Sequence, residues 1–311
     1  MKKLIELYKK SLKPLEIEEI LDAYLYRIFA FLIAYPFKNT SLSPNYFTLI
    51  SMILGFLSGF FFLRNKLLIG ALFLILANIF DCADGQLARL NKKTSKFGKT
   101  LDGLADYITY ISIFTGISYN LFLKGYPTSI SLYGFASLLF MFIHIIYFDH
   151  FKNEYISYVL YKQYPEKSEN IVELKNKTKL YYKKNKIEYI LSLCYLSFYK
   201  IEYFLVSFAY PKNYKGFVHK YGNKNPTFKD SIRYKNNFKI FVRLWTFFGA
   251  SSHMTIFIIF VILNKPLYIF HFFSIFYNFA LIVLAYSQKN KFKKILIESQ
   301  IRDLKNKLSI P

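Results

Sequence analysis

The sequence predicts an all-α fold: a polytopic membrane helix bundle of six transmembrane helices, with an N-terminal interfacial helix and a helical cytoplasmic insertion. Three observations carry that expectation. Of 311 residues, 54% are hydrophobic and 21% aromatic, well above the share in soluble domains, although 20% are charged. Six apolar stretches reach or approach the ~20 residues that a helix needs to cross a bilayer. The 42 Lys and Arg residues outnumber the 19 Asp and Glu, and most of them lie between those stretches. Lipid offers the backbone no hydrogen-bond partner, so apolar spanning segments of this length are read as helices.

Residues 1–40 open with a basic amphipathic segment. Leu4, Ile5, Tyr8 and Leu12 form one face, and Lys2, Lys3, Lys9, Lys10 and Lys13 cover the rest. That pattern suits a helix lying on anionic membrane lipids. Its charges interrupt the sequence before an apolar run can form, so it does not read as a secretory signal. A second helix, Glu16 to Tyr35, is expected along the interface and is stopped by Pro36. Residues 41–150 hold four spans, at 46–63, 67–90, 101–123 and 130–148. Residues 151–240 form a basic cytoplasmic or interfacial insertion. Its stretch 188–210 is rejected as a seventh span, because Lys200 and Glu202 sit in its middle, where charge is costly. Residues 241–288 carry spans at 244–263 and 267–286, and residues 289–311 are a basic tail.

With the N-terminus inside, the inside segments hold 36 Lys and Arg, and the outside loops hold 4. The positive-inside rule therefore places both termini in the cytoplasm, with the protein in the cytoplasmic (inner) membrane. Collagen, intrinsic disorder and disulfide scaffolds are excluded by 12 Gly, 9 Pro and 2 Cys. Cys82 and Cys194 show no metal or redox spacing and are expected to be reduced. Topology accounts for the charge and no nucleic-acid module is present, so nucleic-acid binding is not expected.

The informative segment is DCADGQLARLNKKTSKFGKTLDGLAD, Asp81 to Asp106. Asp81 and Asp84 are three apart, and Gly85 and Ala88 continue their helical face. Gly98, Asp102 and Asp106 are spaced by four on the next helix. A short loop makes the two helices antiparallel neighbours, so four carboxylates can converge at the cytoplasmic boundary. Unpaired, they would be very unfavourable there. Two divalent cations would compensate them, and all-oxygen ligation favours Mg²⁺ or Mn²⁺. Beside Arg89, such a site is suited to holding a diphosphate. Small residues at Gly85, Ala88 and Gly98 allow close helix approach or leave room for a ligand.

The pattern D-x2-D-G-x2-A-R-x8-G-x3-D-x3-D, met at Asp81, Asp84, Gly85, Ala88, Arg89, Gly98, Asp102 and Asp106, resembles the signature of the membrane-embedded CDP-alcohol phosphotransferase (CDP-alcohol phosphatidyltransferase) family. Pro44-Asn45-x-x-Thr48 is similar to that family's entry to its first span. The resemblance covers roughly residues 40–150 well, and spans five and six by layout only; the insertion is longer than in compact members. It implies that Asp81, Asp84, Asp102 and Asp106 hold one or two divalent metals on the CDP diphosphate. Asp106 would also be the general base for the acceptor hydroxyl. Gly85, Ala88 and Gly98 would make room for the nucleoside, and Arg89 would help fix it. The implied reaction passes a substituted phosphate from a CDP-linked donor to an alcohol, releasing CMP, in phospholipid synthesis. The resemblance also implies a homodimer.

Weaker signals are Asn45 and Thr48, which are expected at the nucleotide but are also ordinary helix-start residues. Ser251, Ser252 and His253 lie within span five. Ser252 and His253, with Arg243 at its start, are candidates for the acceptor, set against simple interhelical bonding; His144 is read as interhelical. The donor remains open between CDP-diacylglycerol with a polar acceptor and a CDP-linked head group with a lipid alcohol such as diacylglycerol. Among rivals, an intramembrane prenyltransferase places its Asp motifs farther apart. A cation transporter needs polar residues along a path across the bilayer, whereas these cluster at one boundary.

Overall fold

The computed structural model describes residues 2–92, 96–160, 175–176, 178–180, 186–211 and 227–308. Among them every regular element is helical and no strand occurs. Much of the expected insertion, including Lys212, Lys215, Lys220 and Lys224, lies outside the described residues, as do residues 93–95. The chain divides into two compact units: Met1–Ile145 with Thr246–Asn278, and Ile146–Trp245 with Phe279–Pro311.

The first unit contains α1 (Lys2–Ser11), α2 (Arg27–Ala34), α3 (Asn45–Leu63), α4 (Leu67–Asn91), α5 (Lys96–Leu123) and the first half of α6 (Ser129–Val159). After α7 (Lys186–Val206) and α8 (Phe228–Trp245), the chain returns to it with α9 (Ala250–Ile262) and α10 (Leu267–His271), before α11 (Asn278–Leu308). Among the described residues, four helices are long and apolar enough to cross a membrane: Asn45–Leu63, Leu67–Asn91, Ser129–Val159 and Leu267–Ile295. Phe228–Phe248 and Ala250–Ile262 make a fifth if taken as one broken span.

α5 has the length of a span but is less apolar than its neighbours, because Thr109, Ser118 and Asn120 join Asp102 and Asp106 along it. Thr109, Ser118 and Asn120 are buried, and Asn120 Nδ2 donates to Asn65 Oδ1 at 2.9 Å. Its polar positions thus face protein. α3 packs between α4 and α5 by a run of small buried residues. Ser58 Oγ donates to the Gly70 carbonyl at 2.8 Å, joining α3 to α4. Gly55 and Gly59 lie against Thr109 and Ser112 of α5, with Gly116 of α5 against the Gly59 carbonyl.

Two elements depart from the sequence expectation. The helix expected over Glu16–Tyr35 starts later, continues through a π turn at Asp22–Tyr26, and only then becomes α2. Pro14 and the commitment of Glu18 and Glu19 to partners elsewhere account for the delay. The outer face of α2, with Ile28, Phe29 and Leu32, is exposed. Its inner face packs Tyr26, Ala30 and Ala34 against Ile79, Cys82, Ala83 and Leu87 of α4.

The span expected over 244–263 is not one helix. Gly249 adopts an extended conformation (ψ 169°) ahead of α9, which has 13 residues and is about 20 Å long. Glu19 provides the physical reason. Its Oε2 accepts from the Ser252 N–H at 2.9 Å and Ser252 Oγ at 3.1 Å, satisfying the start of α9 with a negative charge. A Cβ at Gly249 would overlap that carboxylate.

In the second unit, Trp245 stacks on Phe151 and donates from Nε1 to Gln288, and the rings of Tyr158 and Tyr234 stack at 3.9 Å. α7, which covers most of the rejected seventh span, carries Glu202 in contact with His150 at 2.8 Å. Its mid-helix charge is therefore partnered by protein.

Candidate functional site

The aspartates of α4 and α5 come together in the first unit. Carboxylate oxygens of Asp81, Asp84 and Asp102 all lie within 4.8 Å of one another, and all three residues are at least half-buried. Asp81 stands in the field of Asp102, Asp106 and Asp84. Asp106 is half-buried one turn beyond Asp102 and outside that trio. Gly98 begins the same face of α5. The opposite face of α4 turns Cys82, Ala83 and Leu87 into the apolar contact with α2, so the i, i+3 spacing of Asp81 and Asp84 decides which way they point.

Several carboxylates this close repel one another in a poorly solvated place, and an oxygen-binding cation removes that penalty. The donor set is entirely carboxylate oxygen, which fits Mg²⁺ or Mn²⁺ and not a soft metal. Thr48, 3% exposed in the first turn of α3, donates from Oγ1 to Asp84 Oδ2 at 2.6 Å. That bond fixes the orientation of Asp84, and Thr48 is thereby drawn to the cluster. Asn45, three residues earlier, is half-buried at the start of α3.

Arg89 is half-buried, and its Nε donates to the Ser11 carbonyl at 2.5 Å. Gly85 lies beneath two guanidinium groups. A Cβ there would stand 3.4 Å and 3.5 Å from Arg89 Nη1 and Nη2, and 3.7 Å from Arg27 Nη1. Ala88 is half-buried on the same helix.

The sequence reading missed the N-terminal share of this region. Arg27, Glu18, Asp22 and Ser11 are all buried. Arg27 Nη2 donates to Glu18 Oε1 at 3.0 Å and lies 3.9 Å from Asp22 Oδ2, while Nη1 donates to the Cys82 carbonyl at 3.0 Å. Burial opposes the charge on Glu18, but Lys13, Arg27 and Arg89 outweigh it and hold its carboxyl below the usual range. Gln86, fully buried, donates to Ser11 Oγ at 3.1 Å. The available signal was the run of Glu18, Asp22 and Arg27 at spacings of four and five in a segment otherwise apolar enough to bury.

The acceptor candidates Ser252 and His253 are partnered within the protein. Ser252 is bound to Glu19, as above. His253 is fully buried and bonds through Nδ1 to the Gly249 carbonyl at 2.7 Å and through Nε2 to His144 at 3.1 Å. His144 in turn meets the Asn278 side chain at 3.1 Å. Ser251 accepts from Thr255 through its carbonyl. Arg243 belongs to the second unit, in the last turn of α8.

A family model described as CDP-alcohol phosphatidyltransferase matches residues 41–210, more than half of the chain. Among curated proteins, the archaetidylinositol phosphate synthase of Pyrococcus horikoshii is 34% identical over 97 residues, which is 31% of this chain and 51% of that protein. The CDP-diacylglycerol–serine O-phosphatidyltransferase of Helicobacter pylori is 37% identical over 75 residues, 24% of this chain and 32% of that protein. An uncharacterized protein of Aquifex aeolicus is 35% identical over 97 residues, 31% of this chain and 49% of its own length. The chain thus spans about half the length of the first of these relatives and about a third of the second.

Proposed function

Because the chain belongs to the CDP-alcohol phosphatidyltransferase family, we propose that it transfers a substituted phosphate from a CDP-linked lipid to the hydroxyl of a polar alcohol, releasing CMP, in phospholipid synthesis. The observation that carries this reading is the convergence of the Asp81, Asp84 and Asp102 carboxylates within 4.8 Å, beside Gly85 and Arg89. The names of the relatives support a lipid donor: one is a CDP-diacylglycerol–serine O-phosphatidyltransferase, and another is an archaetidylinositol phosphate synthase.

Asp81, Asp84 and Asp102, with Asp106 alongside, would hold the cation, most simply two Mg²⁺ ions. Bound there, the metal neutralises charge on the diphosphate and makes phosphorus more electrophilic. Thr48 keeps Asp84 turned into the cluster. Asn45, Gly85, Ala88, Gly98 and Arg89 receive the CDP part of the donor, cytidine and diphosphate together. Asp106, outside the tight trio, takes the proton of the acceptor hydroxyl. The acceptor oxygen then bonds to the phosphorus that carries the lipid, the bridging P–O bond breaks, and CMP leaves with the electron pair. Six spans with both termini cytoplasmic, set among anionic lipids in a homodimer, put this chemistry at the cytoplasmic face.

The decisive experiment follows radiolabelled CMP release from CDP-diacylglycerol and from CDP-linked head groups, with and without Mg²⁺, against glycerol phosphate, inositol phosphate, serine, inositol and diacylglycerol. Mg²⁺-dependent release with one polar alcohol is the expected result. Release with diacylglycerol from a CDP-linked head group, or none with any donor, would overturn the reading.

Two variants refine it. Asp106→Asn is expected to bind CDP as the wild type does while losing about 10²-fold in transfer, the scale of a lost general base. Equal loss of CDP binding would make Asp106 chiefly a metal ligand. Thr48→Val, which removes the donor to Asp84, is expected to raise the Mg²⁺ concentration for half-maximal turnover about 10-fold. An unchanged Mg²⁺ dependence would take Thr48 out of the metal's support.

A further inference from the structure

We propose that Arg27 is a positioning residue for the diphosphate end of the site, and that the segment Ser11–Arg27, which precedes the family-matching residues, completes that end. This rests on the CDP-donor reading above and extends it to a part of the chain that the family match, beginning at residue 41, leaves out.

A buried guanidinium costs several kcal/mol unless it is paired and hydrogen-bonded. Glu18 and Asp22 lie beside the Arg27 guanidinium at Nη2, while its Nη1 is directed elsewhere, to the Cys82 carbonyl at 3.0 Å. Cys82 lies between Asp81 and Asp84. The contact therefore ties the N-terminal segment to the helical turn from which both metal-facing aspartates project. It also sets the position of Gly85, the point where Arg27 Nη1 and both terminal nitrogens of Arg89 approach one missing side chain.

Two guanidinium groups brought to one spot repel each other unless an anion offsets them. Glu18 supplies part of that offset, and Lys13 adds another cation beside it. Asp84 also feels both arginines. A phosphate of a nucleoside diphosphate, lying over Gly85 with its charge shared between this wall and the aspartate-bound cation, accounts for the arrangement. Arg89 is held for the same task from behind, by the Ser11 carbonyl. Arg27 need not touch the ligand: it fixes the turn and places Arg89's neighbour charge.

The test uses the full-length protein in detergent, with a Cys194→Ala background so that Cys82 is its one thiol. CDP binding in Mg²⁺ is measured for the wild type, Arg27→Met and Arg27→Lys, together with donor and acceptor KM and the rate at which maleimide labels Cys82. Arg27→Met is expected to weaken CDP binding and raise donor KM about 10–100-fold, the scale of a lost charge-assisted contact, with acceptor KM within about twofold. It should also label Cys82 about 10-fold faster, because the turn is released. Arg27→Lys should recover part of both, since one ammonium keeps the charge but cannot bridge Glu18 and the Cys82 carbonyl together. If Arg27→Met fails to fold, Arg27→Lys alone decides: a donor-only rise in KM supports the proposal, and wild-type values overturn it. Unchanged CDP binding in folded Arg27→Met, or an equal rise in both KM values, overturns it. If the wild type binds no CDP, the functional reading has failed and Cys82 labelling decides: faster in Arg27→Met and slower again in Arg27→Lys supports the tie, and equal rates overturn it.

Discussion

Asp81→Asn is expected to reduce CMP release by at least 10³-fold while leaving a folded protein. Asp81 stands among carboxylates: Asp102, Asp106 and Asp84 all act on it. Replacing one carboxylate by a neutral amide removes a ligand that a hard divalent cation prefers. The fold has no comparable stake in Asp81, because the packing of α4 on α2 runs through Ile79, Cys82, Ala83 and Leu87. Removing one of several mutually repelling carboxylates also relieves repulsion in the metal-free protein. The expected pattern is therefore unusual for a buried substitution: thermal stability without Mg²⁺ equal to or above the wild type, and little further gain when Mg²⁺ is added. Measuring melting with and without Mg²⁺, beside CMP release, separates the two effects. Near-normal turnover in folded Asp81→Asn would remove the metal assignment from this residue.

Much of the site was legible because a helix turns spacing into direction. Asp81 and Asp84, then Gly98, Asp102 and Asp106, share faces by arithmetic alone, and a short loop brings those faces together. Thr48 was readable as a nucleotide-site candidate or as a helix-start residue; its bond to Asp84 depends on how α3 sits against α4, which no local pattern encodes. The N-terminal segment was harder still. Its lysines and outer apolar residues read as an interfacial helix, and Ile28, Phe29 and Leu32 are exposed. Its inner charges carry the other half of its role, since Glu18, Asp22 and Arg27 are buried against α4. Their partners include the Cys82 carbonyl and thiol, the Lys13 N–H and one another, and such pairings leave no trace in hydropathy. The break before α9 was hidden for the same reason. Gly249 reads as one more residue in an apolar run until Glu19, more than two hundred residues earlier, is seen to occupy the space its side chain would take.

Gly59→Val is expected to have a large effect although it lies away from the aspartates, by separating the two helices whose approach builds the cluster. In a membrane, apolar side chains gain little by leaving lipid, so helices associate where small residues let their backbones meet. Gly55 and Gly59, four apart on α3, provide that face, and α5 answers with Thr109, Ser112 and Gly116. A Cβ at Gly59 would overlap the Ser112 backbone carbonyl, and one at Gly116 would overlap the Gly59 carbonyl. Backbone cannot swing aside as a flexible side chain does, so α5 must shift as a body. α5 carries Asp102 and Asp106, whereas α4 carries Asp81 and Asp84; moving one helix opens the 4.8 Å cluster from one side. A bulky residue in a tight interface costs about 1–3 kcal/mol or more, enough to lower the melting temperature by several degrees. Activity should fall more steeply than stability, by about 10²-fold, because an ångström of misplacement at a reacting centre is worth that much. Gly59→Ala, which adds one methyl, should lie between wild type and valine in both measurements. A valine variant that keeps wild-type melting and CMP release would show that α3 and α5 do not meet through these glycines.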